Sequence, residues 1–255
     1  MDCLPLREEL LMHRFFMDPN RSTEDELLLA EEDARHAITV LRLKPGQNIE
    51  IIGDGSRFAA EIISTDHQDV RARKISSLPS SEPRLSVTLF QGLPKGDKMD
   101  LIVQKATELG VRRIVPLVMN RCVARLKPSD AARRQDRWTR ISREAVKQSG
   151  RCLIPEITLP VALHDLSGIK DLPESRIVPW ENAESGGPLA FRDRHPFLSS
   201  LGILIGPEGG IEPEEIRFLQ HEGFVCLTLG KRILRTETAG FAAVAAFMSL
   251  YGEME

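Results

Sequence analysis

The chain has 255 residues, of which 42% are hydrophobic and 28% charged, with a formal net charge of −3 at pH 7. That length suffices for one large domain or two modest ones, and the composition is that of a soluble globular protein, which excludes disordered and fibrous classes. Cys3, Cys122, Cys152 and Cys226 lie far apart without a C-x-x-C pair, so neither a zinc site nor a disulfide framework is indicated and reduced thiols in a cytoplasmic protein are expected.

The first segment, MDCLPLREELLMHRFF, carries acids early and lacks a long apolar core, so no signal peptide is expected. Residues 1–78 read as a small β-rich unit. AEEDARHAITVLRL has the look of a short helix, and KPGQ of a turn. NIEIIGDGSRFAAEII is two strand-like runs joined at Asp54-Gly55, a favoured tight-hairpin dipeptide. A third run covers Val70 to Ile75. Ser76 to Pro83, SSLPSSEP, is polar and rich in Pro and Ser, which predicts an interdomain linker.

From Leu85 the rhythm changes, and residues 79–255 form the second predicted domain. LSVTLFQGL predicts a strand, and GDKMDLIVQKATELG a helix with Asp97 near its start and Gly110 at its C′ position. RRIVPLVM is a strand, and a long helix is expected to follow Ser129 as N-cap and run to about Ser149. Further strands are predicted at RIVPW, GILIG and FVCLTL. Between the last two lies a helix with Pro213 in its first turn and Glu214 and Glu215 complementing its dipole. A final helix begins near Thr236, which is placed to cap it. Alternation of this kind argues for an α/β fold with a mainly parallel sheet flanked by helices. The last helix, ETAGFAAVAAFMSLYG, has almost no polar face. It must be covered on most sides, by its own domain or by another subunit. Its apolar run is too short to span a bilayer.

Charge is unevenly spread. Residues 1–78 carry 10 basic and 15 acidic side chains, residues 112–151 carry 12 and 3, and residues 152–255 carry 8 and 15. Arg133, Arg137 and Arg140 share one face of the predicted long helix and Arg134 sits beside it. With only Asp130, Asp136 and Glu144 nearby, acids are too few to pair them, and Arg suits planar, bidentate contact with phosphate. The expectation is a nucleic-acid surface comprising Arg125, Arg133, Arg134, Arg137 and Arg140.

Ligands of open α/β sheets bind beyond the carboxyl ends of strands. Three loops occupy that position: VPWENAESGG, GPEGG (Gly206 to Gly210) and LGKRILRTETAG (Leu229 to Gly240). Gly209 and Gly210 permit close approach of a ligand. No G-x-G-x-x-G or P-loop pattern is present, so neither a dinucleotide nor a triphosphate is expected.

The segments ILIGPEGGIEPEEI and LTLGKRILRTETAGFAAVAA resemble those of the bacterial 16S rRNA uracil-N3 methyltransferases of the SPOUT superfamily. HRFFM, HAITVLRLKPGQNIEIIGDG, KGDKMDLIVQKATELGV and REAVKQSGR agree, in collinear order over nearly the whole chain. The resemblance implies a PUA-like β-barrel that binds RNA, followed by a SPOUT-type α/β methyltransferase domain with a deep trefoil knot. It also implies a homodimer acting on 16S rRNA of the small ribosomal subunit.

S-adenosyl-L-methionine is the implied cofactor. Its expected contacts are Trp180 and Glu181 of the first loop and Ile205, Gly206, Pro207, Glu208, Gly209 and Gly210 of the second. The third loop adds Leu229, Gly230, Ile233, Leu234, Arg235 and Thr238, with Ile233 and Leu234 flanking the adenine. Where Cys122 follows Arg121, relatives would be expected to carry a small hydroxyl residue.

Methylation at N3 of a uridine requires loss of the N3 proton and stabilisation of the anion formed. Arg235, Arg121 or Lys231 is expected to supply the cation, Arg235 first because it lies inside the cofactor loop, and Glu237 to take the proton, although Glu237 equally suits the first turn of its helix. No metal is expected. The alternatives are a related SPOUT enzyme acting on ribose 2′-OH or tRNA, and a non-catalytic RNA-binding or assembly factor.

Overall fold

The structure, a computed structural model, describes residues 12–66, 68–123, 128–184 and 186–255. It divides into two compact units, one comprising the residues up to Glu82 together with Lys147–Leu153, the other Pro83–Val146 and Ile154–Glu255.

The first unit contains strands β1 (Arg14–Phe16) and β2 (Glu26–Leu28), helix α1 (Glu31–Thr39), and strands β3 (Asn48–Gly53), β4 (Ser56–Thr65) and β5 (Val70–Leu78). Their order in the sheet is β1-β3-β4-β5-β2, with β1 parallel to β3 and the other pairs antiparallel. An antiparallel bridge between Met17 and Leu29, just beyond β1 and β2, brings the two edges together, so the sheet curls into a barrel. Irregular register at Ala59/Ala60 and Ile62/Ser64 sharpens the bend of β4. Phe15, Leu27, Leu29, Ile49, Ile51, Ile62 and Val70 fill the interior. The β3–β4 turn places Asp54 and Gly55 at φ values of 50° and 72°, as a two-residue hairpin turn demands.

Two sequence expectations change here. Ser76, Ser77 and Leu78 are the end of β5, paired with Ala59, Phe58 and Arg57, and not part of a linker. The ten-residue strand β4 offers them backbone partners, and ladder hydrogen bonds override weak strand propensity. Second, Lys147–Leu153, read as part of the later domain, packs with the barrel unit. Lys147 Nζ lies 2.6 Å from the buried Asp33, and Arg151, 3% exposed, pairs with Glu82 at 2.6 Å.

The second unit runs β6 (Ser86–Gly92), α2 (Lys98–Glu108), β7 (Arg113–Val118), most of α3 (Pro128–Ser149), β8 (Glu156–Ile157), β9 (Val161–Ala162), a 3-10 segment (Leu163–Gly168), β10 (Ser175–Pro179), α4 (Pro188–Arg194), β11 (Ser200–Ile205), α5 (Pro213–His221), β12 (Phe224–Leu227) and α6 (Thr236–Leu250). Every pairing in its sheet is parallel, in the order β12-β10-β11-β6-β7-β8 with β9 also on β7. A parallel sheet needs cover on both faces. One apolar cluster accordingly joins β6, β11 and β10 to α2, α4 and α6, and another joins their opposite face to α5 and the 3-10 segment. Because the strands are parallel, the loops that leave β6, β10, β11 and β12 share one rim.

The long helix starts at Pro128, so Ser129 lies inside its first turn and is not its cap. Proline suits that place because its missing N–H is one of the orphan donors of a helix start. Gly110 closes α2 at φ 91° as expected. Thr236 does not cap α6, whose N-cap is Arg235. Among the described residues, no helix is long and apolar enough to cross a membrane.

Candidate functional site

The three predicted loops meet at the rim and enclose a cleft of about 500 Å³, lined by Trp180 and Glu181, by Ile205 to Ile211, and by Ile233 to Thr236 with Ala239. A second lobe of about 350 Å³ shares Trp180, Glu181, Ile233 and Leu234 and adds Leu229 and Gly230. Volumes of this size suit a nucleoside-scale ligand. Ile233 is 88% exposed, an apolar side chain left open beside Leu234. Gly230 has φ 102°, and no described residue lies within 4 Å of the place its Cβ would occupy.

The glycine loop is pinned from several directions. Pro207 packs on the backbone of Gly92, where an added Cβ would fall 2.7 Å from the proline nitrogen. The Thr236 hydroxyl donates to Gly206 O at 2.6 Å and accepts from Gln91 Nε2 at 2.9 Å. That hydroxyl fastens the start of α6 to the glycine loop, which is why it is not available as a cap. Arg121 Nη1 donates to Gly209 O at 3.0 Å, and its Nε lies 3.4 Å from Glu212. The α5 start is closed by a reciprocal Glu212–Glu215 capping box, and Glu215 also accepts from Asn120 N at 2.9 Å. The Glu212 carboxyl is held below the usual range by the Asn120 amide first and by Arg121 second. Cys122 turns inward, and burial pushes its thiol pKa up.

A fourth loop belongs to the rim and was missed by sequence reasoning. It is PKGDK, between β6 and α2. The N–H of Lys95 donates to Glu208 at 3.1 Å, and Lys98 Nζ lies 2.9 Å from Glu208 and 3.4 Å from Glu237. Lys98 lines the cleft, as do Pro179, Ile211, Thr236 and Ala239, which also escaped prediction. The signal was available, because PKGDK follows an apolar strand just as the other loops do. The hydrogen bond to Glu208 raises the Lys98 pKa, so it stays an ammonium. Desolvation works to raise the Glu208 carboxyl, but Lys98 and the N–H groups of Glu208 and Lys95 outweigh it and hold the pKa low.

Three predicted residues stand elsewhere. Thr238 is exposed on α6 and lines neither lobe. Arg121 braces the glycine loop and is not among the cleft-lining residues. Glu237 is also absent from the lining, with its Oε2 buried beside Lys98. Arg235, by contrast, is exposed on the cleft wall with no ion pair among the described residues.

The predicted arginines Arg133, Arg134, Arg137 and Arg140 line one cavity of about 390 Å³ with Gly96, Asp97, Met99, Asp100 and Trp138. Arg125 lies outside the described residues. The expectation that acids are too few needs correcting for Arg137, which pairs with Asp100 and lies 3.9 Å from Asp97. Those partners come from the α2 end, remote in sequence. Among the described residues, no three His, Cys, Asp or Glu side chains converge as a metal site.

Comparison with known proteins agrees with this architecture. Residues 81–248 match the RNA methyltransferase domain family, and residues 29–75 the RNA methyltransferase PUA domain family. Ribosomal RNA small subunit methyltransferase E of Bacillus subtilis (strain 168) is 32% identical over 244 residues, covering 92% of this chain and 95% of the relative. Its namesake in Aquifex aeolicus (strain VF5) is 30% identical over 240 residues, covering 93% and 100%. The crystal structure of a ribosomal RNA small subunit methyltransferase E from Neisseria gonorrhoeae bound to S-adenosyl methionine superimposes with a TM-score of 0.83 at 32% identity, covering 96% of this chain and 100% of the other.

Proposed function

The chain belongs to the ribosomal RNA small subunit methyltransferase E family of RNA methyltransferases, and from that premise we propose that it methylates N3 of a uridine in 16S rRNA with S-adenosylmethionine as donor. The observation that carries this is the cleft itself. Backbone from three rim loops, an open apolar pair at Ile233 and Leu234, and two carboxylates on its walls, Glu181 and Glu208, suit a flat adenine joined to a cationic sulfonium and ammonium. Leu229, Gly230 and Ile233 to Arg235 would hold the nucleoside end, and Gly206 to Gly210 with Glu181 the amino-acid end. When bound, S-adenosylmethionine supplies an electrophilic methyl group.

The chain's own residues set the acceptor chemistry. N3 becomes nucleophilic when its proton leaves, and the negative charge then spreads to the neighbouring carbonyl oxygens. Arg235, on the cleft wall with no ion pair among the described residues, would stabilise that charge. Glu237, with one oxygen buried against Lys98, holds α6 to the α2 start. Arg121 fixes the glycine loop. The target base must leave its stack to enter the cleft.

The same proposal includes the trefoil knot, the homodimer and a cytoplasmic setting. For the knot, the support is that the chain leaves β12 at the sheet edge yet returns to pack α6 on β11 and β6, passing Gly206 on the way. For the dimer, Phe241, Ala242, Ala245 and Ala246 leave a half-covered apolar face on α6. The PUA domain would help select RNA by shape and backbone.

The test is incubation of the purified protein and labelled donor with small ribosomal subunits and with naked rRNA, followed by nucleoside mass spectrometry. Label recovered as 3-methyluridine is expected. Label on a ribose 2′-oxygen, or none in rRNA, overturns the proposal.

A further inference from the structure

The arginine cavity and the cleft adjoin along one short stretch of chain. Gly96 and Asp97 line the cavity, and the next residue, Lys98, lines the cleft. Consecutive Cα atoms are about 3.8 Å apart, so the first turn of α2 is the sill between them. Gly96 sits there at φ 68° with no described residue within 4 Å of its Cβ position.

The cavity has a surplus of positive charge: four arginines face two aspartates. Asp100 and Asp97 are taken up by Arg137, which fixes that guanidinium in place. Among the described residues Arg133 pairs with Asp130 alone, at 3.7 Å. Arg134 and Arg140 have no ion pair among the described residues. Met99 and Trp138 form a buried apolar floor, so the guanidinium groups cannot sink away from the opening. Guanidinium forks match the oxygens of a phosphate.

Of the cleft's other walls, one carries Glu181, which would repel a nucleic-acid backbone, and another carries Arg235, which the proposed chemistry commits to the base. A nucleotide whose base enters the cleft must lead its sugar-phosphate out over some part of the rim, and the α2 sill adjoins a cluster of arginines of which Arg134 and Arg140 have no ion pair among the described residues. We propose that the cavity lined by Arg134, Arg137 and Arg140 is a phosphate subsite that seats a phosphodiester of the RNA next to the target uridine. This rests on the reading of the protein as an RNA base methyltransferase.

The probe is uridine 3′,5′-bisphosphate, titrated into the full chain by calorimetry at low salt, beside a separate titration with S-adenosylmethionine. The double variant Arg134→Gln with Arg140→Gln is expected to bind the bisphosphate at least tenfold more weakly, because charge-assisted hydrogen bonds are lost. It should hold S-adenosylmethionine within about twofold, which also reports that the fold is intact. With a single-stranded RNA as ligand, the slope of log affinity against log salt should fall by about 0.7 for each lost phosphate contact. Replacing both residues with Lys should recover part of the affinity. No binding by the unsubstituted protein, equal binding by the double variant, or an equal loss for S-adenosylmethionine overturns the subsite. If the bisphosphate result holds but no 3-methyluridine forms in rRNA, the subsite stands and the proposed reaction falls.

Discussion

Replacing Thr236 with Val tests whether the polar relay at the start of α6 holds the cleft together. Valine keeps the shape of threonine and exchanges the hydroxyl for a methyl, so no cavity is made. Two hydrogen bonds disappear, the 2.6 Å bond to Gly206 O and the 2.9 Å bond from Gln91 Nε2. Gln91 is completely buried, and its amide keeps only Gly92 O, at 3.0 Å, as partner. Losing the bond to Gly206 O costs about 1 kcal/mol, and leaving the buried Gln91 N–H without this partner costs about 1–3 kcal/mol, so the variant should be roughly 2–4 kcal/mol less stable. For a chain of this size that corresponds to a fall in melting temperature of roughly 5–15 °C. Because Gly206 lines the cleft, donor affinity should drop as well, by about tenfold, a difference of about 1.4 kcal/mol. Differential scanning calorimetry measures the first quantity and titration calorimetry with S-adenosylmethionine the second. Thr236→Ser, which restores the hydroxyl, should recover most of both. A Val variant that melts within about 2 °C of the parent and binds the donor equally would refute the relay as a structural link.

Gly92→Ala places a Cβ 2.7 Å from Pro207 nitrogen and must move the glycine loop. A loss of about 1–3 kcal/mol in denaturant unfolding is expected, with donor binding weakened tenfold or more. Gly230→Ala meets no atom of the described residues, so its effect isolates the cost of φ 102°. That cost should be about 1–3 kcal/mol by thermal melting. The Glu208 carboxyl is lower in the folded protein than in the unfolded chain, so the unfolded chain takes up the proton first as pH falls. Its contribution is therefore complete above the ordinary glutamate value of about 4.3 and disappears as pH drops through the folded value. Melting temperatures should show this acid loss below that point, and Glu208→Gln should flatten that part of the profile.

Much of the site was legible locally. Strand–turn–helix transitions at GPEGG and LGKRILRTETAG reveal loops at strand ends because apolar runs, glycines and capping positions act within a few residues. The arginine block is visible for the same reason, since charge counts need no fold. The segment after β6 has the same form, yet PKGDK carries no glycine pair to mark it. Its importance comes from Glu208, to which Lys95 is hydrogen-bonded across 113 positions of sequence.

Sequence alone therefore determined the alternation of elements, the three loops at the strand ends, the basic segment and, through collinear motifs, the family. Tertiary structure decided who meets whom. It took the Thr236 hydroxyl from capping and gave it to Gly206 and Gln91, the latter 145 positions away. It set Asp100 against Arg137, made Ser76 to Leu78 a strand by supplying β4 as partner, and drew Lys147–Leu153 into the barrel unit. Hydrogen-bond and ion-pair partners are chosen by proximity in space, and in a parallel sheet whose order is β12-β10-β11-β6-β7-β8 that proximity has little relation to distance along the chain.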